Sequence, residues 1–252
     1  MQCYKLSYFL GIINNLKKKK ISTGLIMETI AMIVAAGRGI RAGGTVPKQY
    51  EFFNKTRMLS FTIKALLKSS SIDALLVVIN SLDVKLYEDC IKDLNDSRIL
   101  EYCFVGNERT ESVKNGLNEL KKYSPKNVLI HDGARPFIPL ELTNRILESL
   151  ASNQAVLPVL PIVDALWEKN NNSYQQFLKP GPDRDKFLLA QTPQGFDYTT
   201  ICSAYQKSDK CELDDIAVAY RAGIQISTVK GDSRNKKITS KEDLKKFKGY
   251  TE

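Results

Sequence analysis

Short apolar runs and stretches of helical periodicity alternate along most of the chain. Nearly continuous apolar runs predict buried strands at residues 30–35, 74–79, 99–105, 127–130, 155–159, 187–190 and 225–229. Helical spacing of apolar residues predicts helices at about residues 59–67, 84–94, 113–120, 140–150 and 216–222. Gly223 is predicted to end the helix at residues 216–222. Ser240 and Asp243 are predicted to form the capping box of a further helix. Strands that alternate with helices favour right-handed crossovers and a mostly parallel sheet.

Two segments depart from this rhythm. Residues 161–186 contain three consecutive asparagines and a Pro-Gly-Pro turn signal, so the pattern alone predicts a long loop. Residues 1–26 place a short apolar run before a block of four lysines, the reverse of a secretory signal. We expect a disordered extension there, with a membrane-surface helix as the alternative, and a domain that begins at Met27.

Composition narrows the class of partner. The 252 residues carry a net charge of +9, but residues 1–27 hold five lysines and no acidic residue, which leaves +4 for the body. A mildly basic body favours a small anionic substrate over nucleic acid. The five cysteines show no C-x-x-C spacing, and no apolar run approaches the roughly 20 residues of a membrane span. We therefore expect a cytoplasmic protein without disulfides, zinc or a membrane partner.

The first strand ends in a glycine-rich, basic loop. Gly37, Gly39, Gly43 and Gly44 are interleaved with Arg38 and Arg41, and Lys48 follows. Glycine lets successive backbone N–H groups approach an anion, and the cations would neutralise phosphate charge. The spacing matches neither a P-loop nor a dinucleotide fingerprint, so a flexible surface loop is the open alternative.

This loop is also where a family resemblance begins. VAAGRGIRAGG followed by PKQY resembles the nucleotide-binding loop of the 2-C-methyl-D-erythritol 4-phosphate cytidylyltransferases, a family of the non-mevalonate isoprenoid pathway. ERTESVKNGL, HDGARPF, PVLPIVDALWE, AQTPQGF and GDSRNKKIT continue the resemblance in order from about residue 30 to 244. It implies one cytidylyltransferase domain over residues 27–252, with a Rossmann-like α/β nucleotidyltransferase fold. The central sheet would be mostly parallel (mixed), and a protruding β-hairpin arm at about residues 161–186 would reach across a homodimer.

The resemblance also implies site residues. Arg41, Lys48 and Lys237 would be catalytic. Ala35, Ala36, Gly37, Gly39, Gly106, Ser112 and Asp132 would bind CTP. Asp164, Arg184 and Thr192 would bind the polyol phosphate, and Mg²⁺ would be the cofactor, with Asp132 contacting either the ribose or the metal. Asp215 matches a family carboxylate, Arg135 could serve the site or support Asp132, and we expect a structural role for His131.

The acceptor is the least determined part of this hypothesis. Ala165 stands where the family has a threonine, which leaves open another polyol phosphate such as ribitol 5-phosphate. A nucleotide-binding regulator without turnover would not need the lysine at the α-phosphate, so we favour the enzyme. Some members are fused to a cyclodiphosphate synthase with an Asp-x-His metal motif. Because His131 is the only histidine, we expect no such domain in this sequence.

Overall fold

The computed structural model describes residues 27–37, 46–53, 55–106, 108–169, 178–208, 212–240 and 242–243. The predicted extension at residues 1–26, the loop residues Gly39 and Arg41, and the turn of the arm lie outside these ranges. The strands are β1 (Thr29–Val34), β2 (Phe52–Phe53), β3 (Thr56–Arg57), β4 (Ala74–Ile79), β5 (Cys103–Phe104), β6 (Asn127–Asp132), β7 (Ala155–Pro161), β8 (Trp167–Lys169), β9 (Leu178–Pro180), β10 (Leu188–Ala190), β11 (Gln194–Asp197) and β12 (Ser227–Lys230). The helices are α1 (Met58–Leu67), α2 (Val84–Ile91), α3 (Arg109–Leu120), α4 (Leu140–Leu150), α5 (Tyr198–Lys207) and α6 (Asp215–Arg221).

An eight-stranded sheet forms the centre, in the order β10-β7-β11-β6-β1-β4-β5, with β12 also beside β7. β1 is parallel to β4 and β6, and β4 is parallel to β5. β11 runs antiparallel between β6 and β7, and β10 is antiparallel to β7. The predicted mixed, mostly parallel sheet is therefore confirmed.

Helices cover both faces of this sheet. α1, α2 and α4 pack on the face that carries Ala31 and Ile33, whereas α3, α5 and α6 pack on the face of Ile30 and Met32. All four of these β1 side chains are fully buried. A strand covered on both faces needs apolar residues at every position, which explains the continuous apolar run. The larger of these side chains, Ile30, Met32 and Ile33, each contribute about 1.5–3 kcal/mol through their removal from water.

The predicted strand at residues 99–105 is too long. Leu100 donates its N–H to the carbonyl of Leu75 and Val105 to that of Ile79, but only Cys103 and Phe104 form a strand. Between these contacts the ring of Tyr102 packs edge-on against Tyr87 of α2, with centroids 5.4 Å apart. The chain leaves the sheet edge there because the aromatic contact takes the place of strand pairing. The helix predicted at residues 84–94 likewise ends earlier, at Ile91.

The sequence pattern also missed β11 and α5. β11 is the short segment Gln-Gly-Phe-Asp, which has no clear alternation, and a Cβ at Gly195 would lie 2.7 Å from Ile146 of α4. Close packing under α4, rather than strand propensity, therefore defines it. α5 begins after Asp197, whose carboxylate accepts the N–H of Thr200 at 2.8 Å.

The hairpin implied by the family resemblance is present, and local sequence signals are confirmed at two helix ends. β8 and β9 pair antiparallel, so residues 161–186 contain the β-hairpin that the family resemblance implied and the pattern alone did not. Gly223 follows α6 with φ of +83°, a conformation that glycine adopts without steric cost. Ser240 and Asp243 exchange backbone-to-side-chain hydrogen bonds of 3.1 and 3.0 Å, as a capping box requires. Among the described residues, no helix has the length and apolar character needed to cross a membrane.

Candidate active site

The candidate site lies where β1 and β6 end side by side. Within the sheet, β4 and β5 follow on one side of β1, whereas β6, the next strand along the chain, lies on its other side. Ligands of open α/β sheets bind beyond the carboxyl ends of strands at such a reversal. Val34 at the end of β1 is in register with Asp132 at the end of β6. The loop after β1 and the carboxylate of Asp132 therefore share this edge.

Gln49 fixes the start of the glycine loop. Its buried side-chain amide donates to the carbonyl oxygens of Ala35 at 2.7 Å and Gly37 at 3.0 Å. In a trans peptide the N–H points away from the carbonyl, so the N–H of Ala36 faces away from Gln49. Among the described residues, none accepts a hydrogen bond from this N–H, which is therefore a candidate donor for an anion. Lys48 precedes Gln49 in a short 3-10 helix, which places the lysine beside the same loop. Gln49 was not predicted as a site residue, although it lies in the quoted PKQY segment.

Lys237 and Asp132 form an ion pair at this edge. Lys237 Nζ lies 2.9 Å from Asp132 Oδ2, and the Nε atom of Arg135 lies 3.5 Å from the same oxygen. Burial alone would raise the pKa of the Asp132 carboxyl, but Lys237, Arg109 and Arg135 together lower it well below its usual range. The carboxylate is thus charged at neutral pH. The Lys237 side chain is 43% exposed, so a ligand can approach part of it.

His131 supports Asp132 from within the core. Its Nε2 lies 3.0 Å from the carbonyl oxygen of Arg135, so this nitrogen must carry the proton. Nδ1 then accepts the hydroxyl proton of Thr192 at 2.9 Å, and the Thr192 Oγ1 accepts the N–H of Asp132 at 3.1 Å. The expected structural role of His131 is supported by these contacts. The Thr192 hydroxyl is engaged by the protein, and its predicted contact with the substrate stays a prediction.

The neutral histidine predicts a pH dependence of stability. Burial lowers the pKa of His131 from 6.5 to about 4, so only the unfolded state gains a proton between these values. The free energy of unfolding should therefore fall as the pH drops from about 6.5 to about 4, by about 3 kcal/mol from this group. Urea denaturation of the wild type and of His131→Gln across this range tests the prediction. Equal pH slopes in the two proteins would contradict it. Asp132, whose pKa is lowered from 3.8, contributes only below this window.

A network of side chains holds the segment that carries Lys237. Arg135 Nη1 donates to the carbonyl of Asn235 at 2.9 Å, and Asn235 Nδ2 donates to the carbonyl of Thr192 at 2.7 Å. Gln191 exchanges two hydrogen bonds with the backbone of Asp232, at 2.9 and 3.0 Å. Arg135 therefore supports Asp132, one of its two predicted roles, and also holds the Lys237 segment, which was not predicted; its direct role in the site stays a prediction. Only membership of the quoted motifs pointed to Gln191 and Asn235.

Gly106 and Ser112 lie at the neighbouring strand end. The N–H of Gly106 donates to Ser112 Oγ at 3.2 Å, and this hydroxyl donates to the carbonyl of Glu108 at 2.8 Å. The buried serine therefore closes the turn that links β5 to α3. The structure thus places Gly106, just after β5, in contact with Ser112 in the first turn of α3, at the same edge of the sheet as Asp132.

A buried ion pair joins this turn to α6. Arg109 donates from Nη1 and Nη2 to the two carboxylate oxygens of Asp215, at 2.8 and 2.7 Å. Asp215 is fully buried and also accepts the hydroxyl proton of Tyr205 at 2.5 Å. Burial alone would lower the pKa of the Arg109 guanidinium, but the neighbouring Asp215 carboxylate raises it. No role for Arg109 was predicted from the sequence.

Among the described residues, no hydrogen bond or ion pair joins Asp164 or Arg184 to this group of side chains. Both lie in the arm, where Arg184 donates to the carbonyl of Val163 and approaches Asp185 at 3.8 Å. These described contacts of Arg184 lie within the arm, and its side chain is half exposed. The predicted contact of Arg184 with the substrate stays a prediction.

Comparisons with known proteins identify the family of the chain. The family model for 2-C-methyl-D-erythritol 4-phosphate cytidylyltransferase matches residues 29–251. A bifunctional IspD/IspF enzyme of Paramagnetospirillum magneticum is 39% identical over 220 residues, 87% of this chain and 56% of that protein. A 2-C-methyl-D-erythritol 4-phosphate cytidylyltransferase of Cereibacter sphaeroides is 34% identical over 218 residues, 86% of this chain and 94% of that one.

A solved structure supports the fold as well. The 4-diphosphocytidyl-2C-methyl-D-erythritol synthase of Anaerococcus prevotii superposes with a TM-score of 0.75 at 26% identity, covering 88% of this chain and 95% of that one. The chain spans only about half the length of the bifunctional relatives that it matches. The match over nearly all of the described domain decides the family. The chain belongs to the 2-C-methyl-D-erythritol 4-phosphate cytidylyltransferase family.

Proposed function

We propose that the chain transfers a cytidylyl group from CTP to 2-C-methyl-D-erythritol 4-phosphate, releasing pyrophosphate. The observation that carries this proposal is the Lys237–Asp132 pair, 2.9 Å apart, near the start of the glycine loop, where Gln49 binds the backbone of Ala35 and Gly37. An accessible ammonium and a backbone N–H at the switch point suit a phosphate chain. Family membership supplies the choice of nucleotide and acceptor.

The reaction needs positioning and charge stabilisation more than covalent help. An oxygen of the acceptor phosphate attacks the α-phosphorus, a new P–O bond forms, and the bond to the β-phosphate oxygen breaks. The electron pair leaves with pyrophosphate. We assign Lys237 to the α-phosphate, where negative charge is redistributed, and Lys48 with Arg41 to the departing pyrophosphate. Asp132 orients the Lys237 ammonium before the nucleotide binds.

We propose that Mg²⁺ binds as a complex with the nucleotide. Among the described residues no cluster of three or more His, Cys, Asp or Glu side chains could hold a metal ion. Both cation contacts of Asp132 involve Oδ2. This donor set fits Mg²⁺ bound by phosphate oxygens and waters with at most one protein carboxylate. When bound, the ion would neutralise charge on the triphosphate, and the contact to Asp132 stays a prediction.

We also propose a homodimer formed through the arm. Six apolar side chains of this region are 45–75% exposed: Val163, Trp167, Leu178, Phe187, Leu188 and Leu189. Exposed apolar surface of this kind marks an interface. The family resemblance implies a homodimer, so a second copy of the chain is the proposed partner. Arg184 would then reach the active site of the other subunit.

A pyrophosphate-release assay tests the assignment and its alternative together. CTP is paired in turn with 2-C-methyl-D-erythritol 4-phosphate, ribitol 5-phosphate and erythritol 4-phosphate, with UTP as the nucleotide control. Family membership favours the methylerythritol substrate over ribitol 5-phosphate, despite Ala165. We expect release with CTP and 2-C-methyl-D-erythritol 4-phosphate at a kcat/KM at least about tenfold above every other pair. Preference for ribitol 5-phosphate would replace the proposed acceptor.

A further inference from the structure

Three polar side chains, of which two are buried and Arg109 is partly exposed, connect the turn at Gly106 to the rest of the molecule. Tyr205 of α5 donates to Asp215, the first residue of α6, which binds both terminal nitrogens of Arg109, the first residue of α3. The distances are 2.5, 2.8 and 2.7 Å. The mechanism proposed above makes no use of these side chains.

Stability alone does not account for this arrangement. Asp215 is fully buried, and the desolvation of a carboxylate and a guanidinium offsets much of their attraction. Apolar residues of similar volume are often as stable in such places. A forked pair does fix the distance and angle between two backbones, because both hydrogen bonds must be made at once. The geometry points to positioning.

The N-terminus of α6, which carries Asp215, is itself hydrogen-bonded to the sheet. Gln194 of β11 donates to the carboxylate of Asp214 at 2.9 Å and accepts the N–H of Ile216 at 3.0 Å. The N-terminus of α6 is therefore fixed between β11, α5 and Arg109. Because Arg109 is bound to Asp215, it holds the start of α3 against the N-terminus of α6. The turn between β5 and α3, which the Gly106–Ser112 hydrogen bond closes, is held with it.

We propose that Arg109, Asp215 and Tyr205 are positioning residues that fix the Gly106–Ser112 turn and thereby determine the selectivity for the nucleotide base. The inference rests on the proposed function, in which this turn contacts cytosine. CTP and UTP differ in hydrogen-bonding groups on the base, so discrimination depends on donors and acceptors held in place. A loosened turn would weaken the binding of CTP and accept UTP more readily, without weakening the binding of the acceptor.

The test uses two conservative variants with matched controls. Tyr205→Phe removes one hydroxyl from the connection, and Tyr198→Phe removes the equivalent hydroxyl from the same helix, where it donates to the carbonyl of Leu117. Arg109→Lys keeps the charge but loses the fork. Its control is Arg98→Lys, which likewise keeps the charge and loses the forked pair of hydrogen bonds from Arg98 to Asp96. Arg98 also donates to the carbonyl of Leu67 at the C-terminal end of α1. For each full-length protein, kcat and KM are measured for CTP, UTP and the acceptor, with the melting temperature.

We expect Arg109→Lys to lower the ratio of kcat/KM for CTP over UTP by at least about tenfold and Tyr205→Phe by about threefold. KM for CTP should rise while KM for the acceptor stays within about twofold, and both controls should keep the wild-type ratio. A purely structural role would lower the melting temperature and leave the ratio unchanged, which would overturn the inference. If Arg109→Lys does not fold, an unchanged ratio in Tyr205→Phe is sufficient to overturn it. A wild type without CTP turnover would instead overturn the proposed function.

Discussion

Replacement of Lys237 by alanine is expected to lower kcat at least about a hundredfold, the scale typical of losing one electrostatic stabiliser of a transition state. The Lys237 ammonium is accessible and held 2.9 Å from Asp132 at the edge where the nucleotide is proposed to bind. Charge redistributes on the α-phosphate as the new bond forms, so the loss should be mainly in kcat. Steady-state pyrophosphate release measures it, and Lys48→Ala should show a loss of similar size.

The adjacent lysine supplies the matched control. Lys236 Nζ pairs with Asp243 at 3.0 Å and is 61% exposed, so Lys236→Ala removes the same chemical group one residue away. This variant should keep turnover within about twofold, because exposed ion pairs contribute little. Near-normal turnover by Lys237→Ala would remove Lys237 from the mechanism. Equal losses in the two variants would indicate damage to the segment rather than to the chemistry.

A mixture of two inactive homodimers is expected to regain activity if the arm serves the partner's site. Each site would use its own Lys237 and the Arg184 of the other subunit. In a mixed dimer of Lys237→Ala and Arg184→Ala subunits, one site carries both defects and the other carries neither. Random exchange makes about half of the dimers mixed, so about one site in four should be intact. Activity is measured before and after exchange, which is followed independently by mass spectrometry.

The control mixture combines Lys237→Ala with Lys48→Ala. If both lysines serve the site of their own subunit, every site in this mixture keeps one defect and no activity should return. Recovery with Arg184→Ala but not with Lys48→Ala would support the shared site. Complete exchange without recovery in the first mixture would contradict it, and Arg184 would then act within its own subunit or not at all.

The strands at the centre of the sheet were predictable because burial on both faces leaves a strong local signal. β4 has the predicted bounds, as does α4 with its apolar spacing. β11 gave no such signal, since it is four residues long and its Gly195 is defined by contact with Ile146. The strand predicted at residues 99–105 was wrong in extent because Tyr102 packs on Tyr87, a contact that no local pattern contains.

The family motifs predicted some of the residues that the structure brings together at this edge, such as Asp132 and Lys237, but not their arrangement. Asp132 and Lys237 were both named through the family motifs, yet their ion pair depends on the segment that Arg135 and Gln191 hold in place. Buried hydrogen bonds of this kind join residues distant in sequence, and periodicity does not report them. The same reason explains why Arg109 was missed. Its partner Asp215 lies far along the chain, at the start of another helix.

Phosphorus NMR of a complete reaction tests the central claim most directly. The full-length protein is incubated with CTP, 2-C-methyl-D-erythritol 4-phosphate and Mg²⁺, and all phosphorus resonances are followed over time. Cytidylyl transfer predicts that the monoester resonance of the acceptor is replaced by two coupled diphosphate resonances, with one pyrophosphate released for each product formed. Release of inorganic phosphate with an unchanged acceptor, or full retention of CTP, would contradict the account.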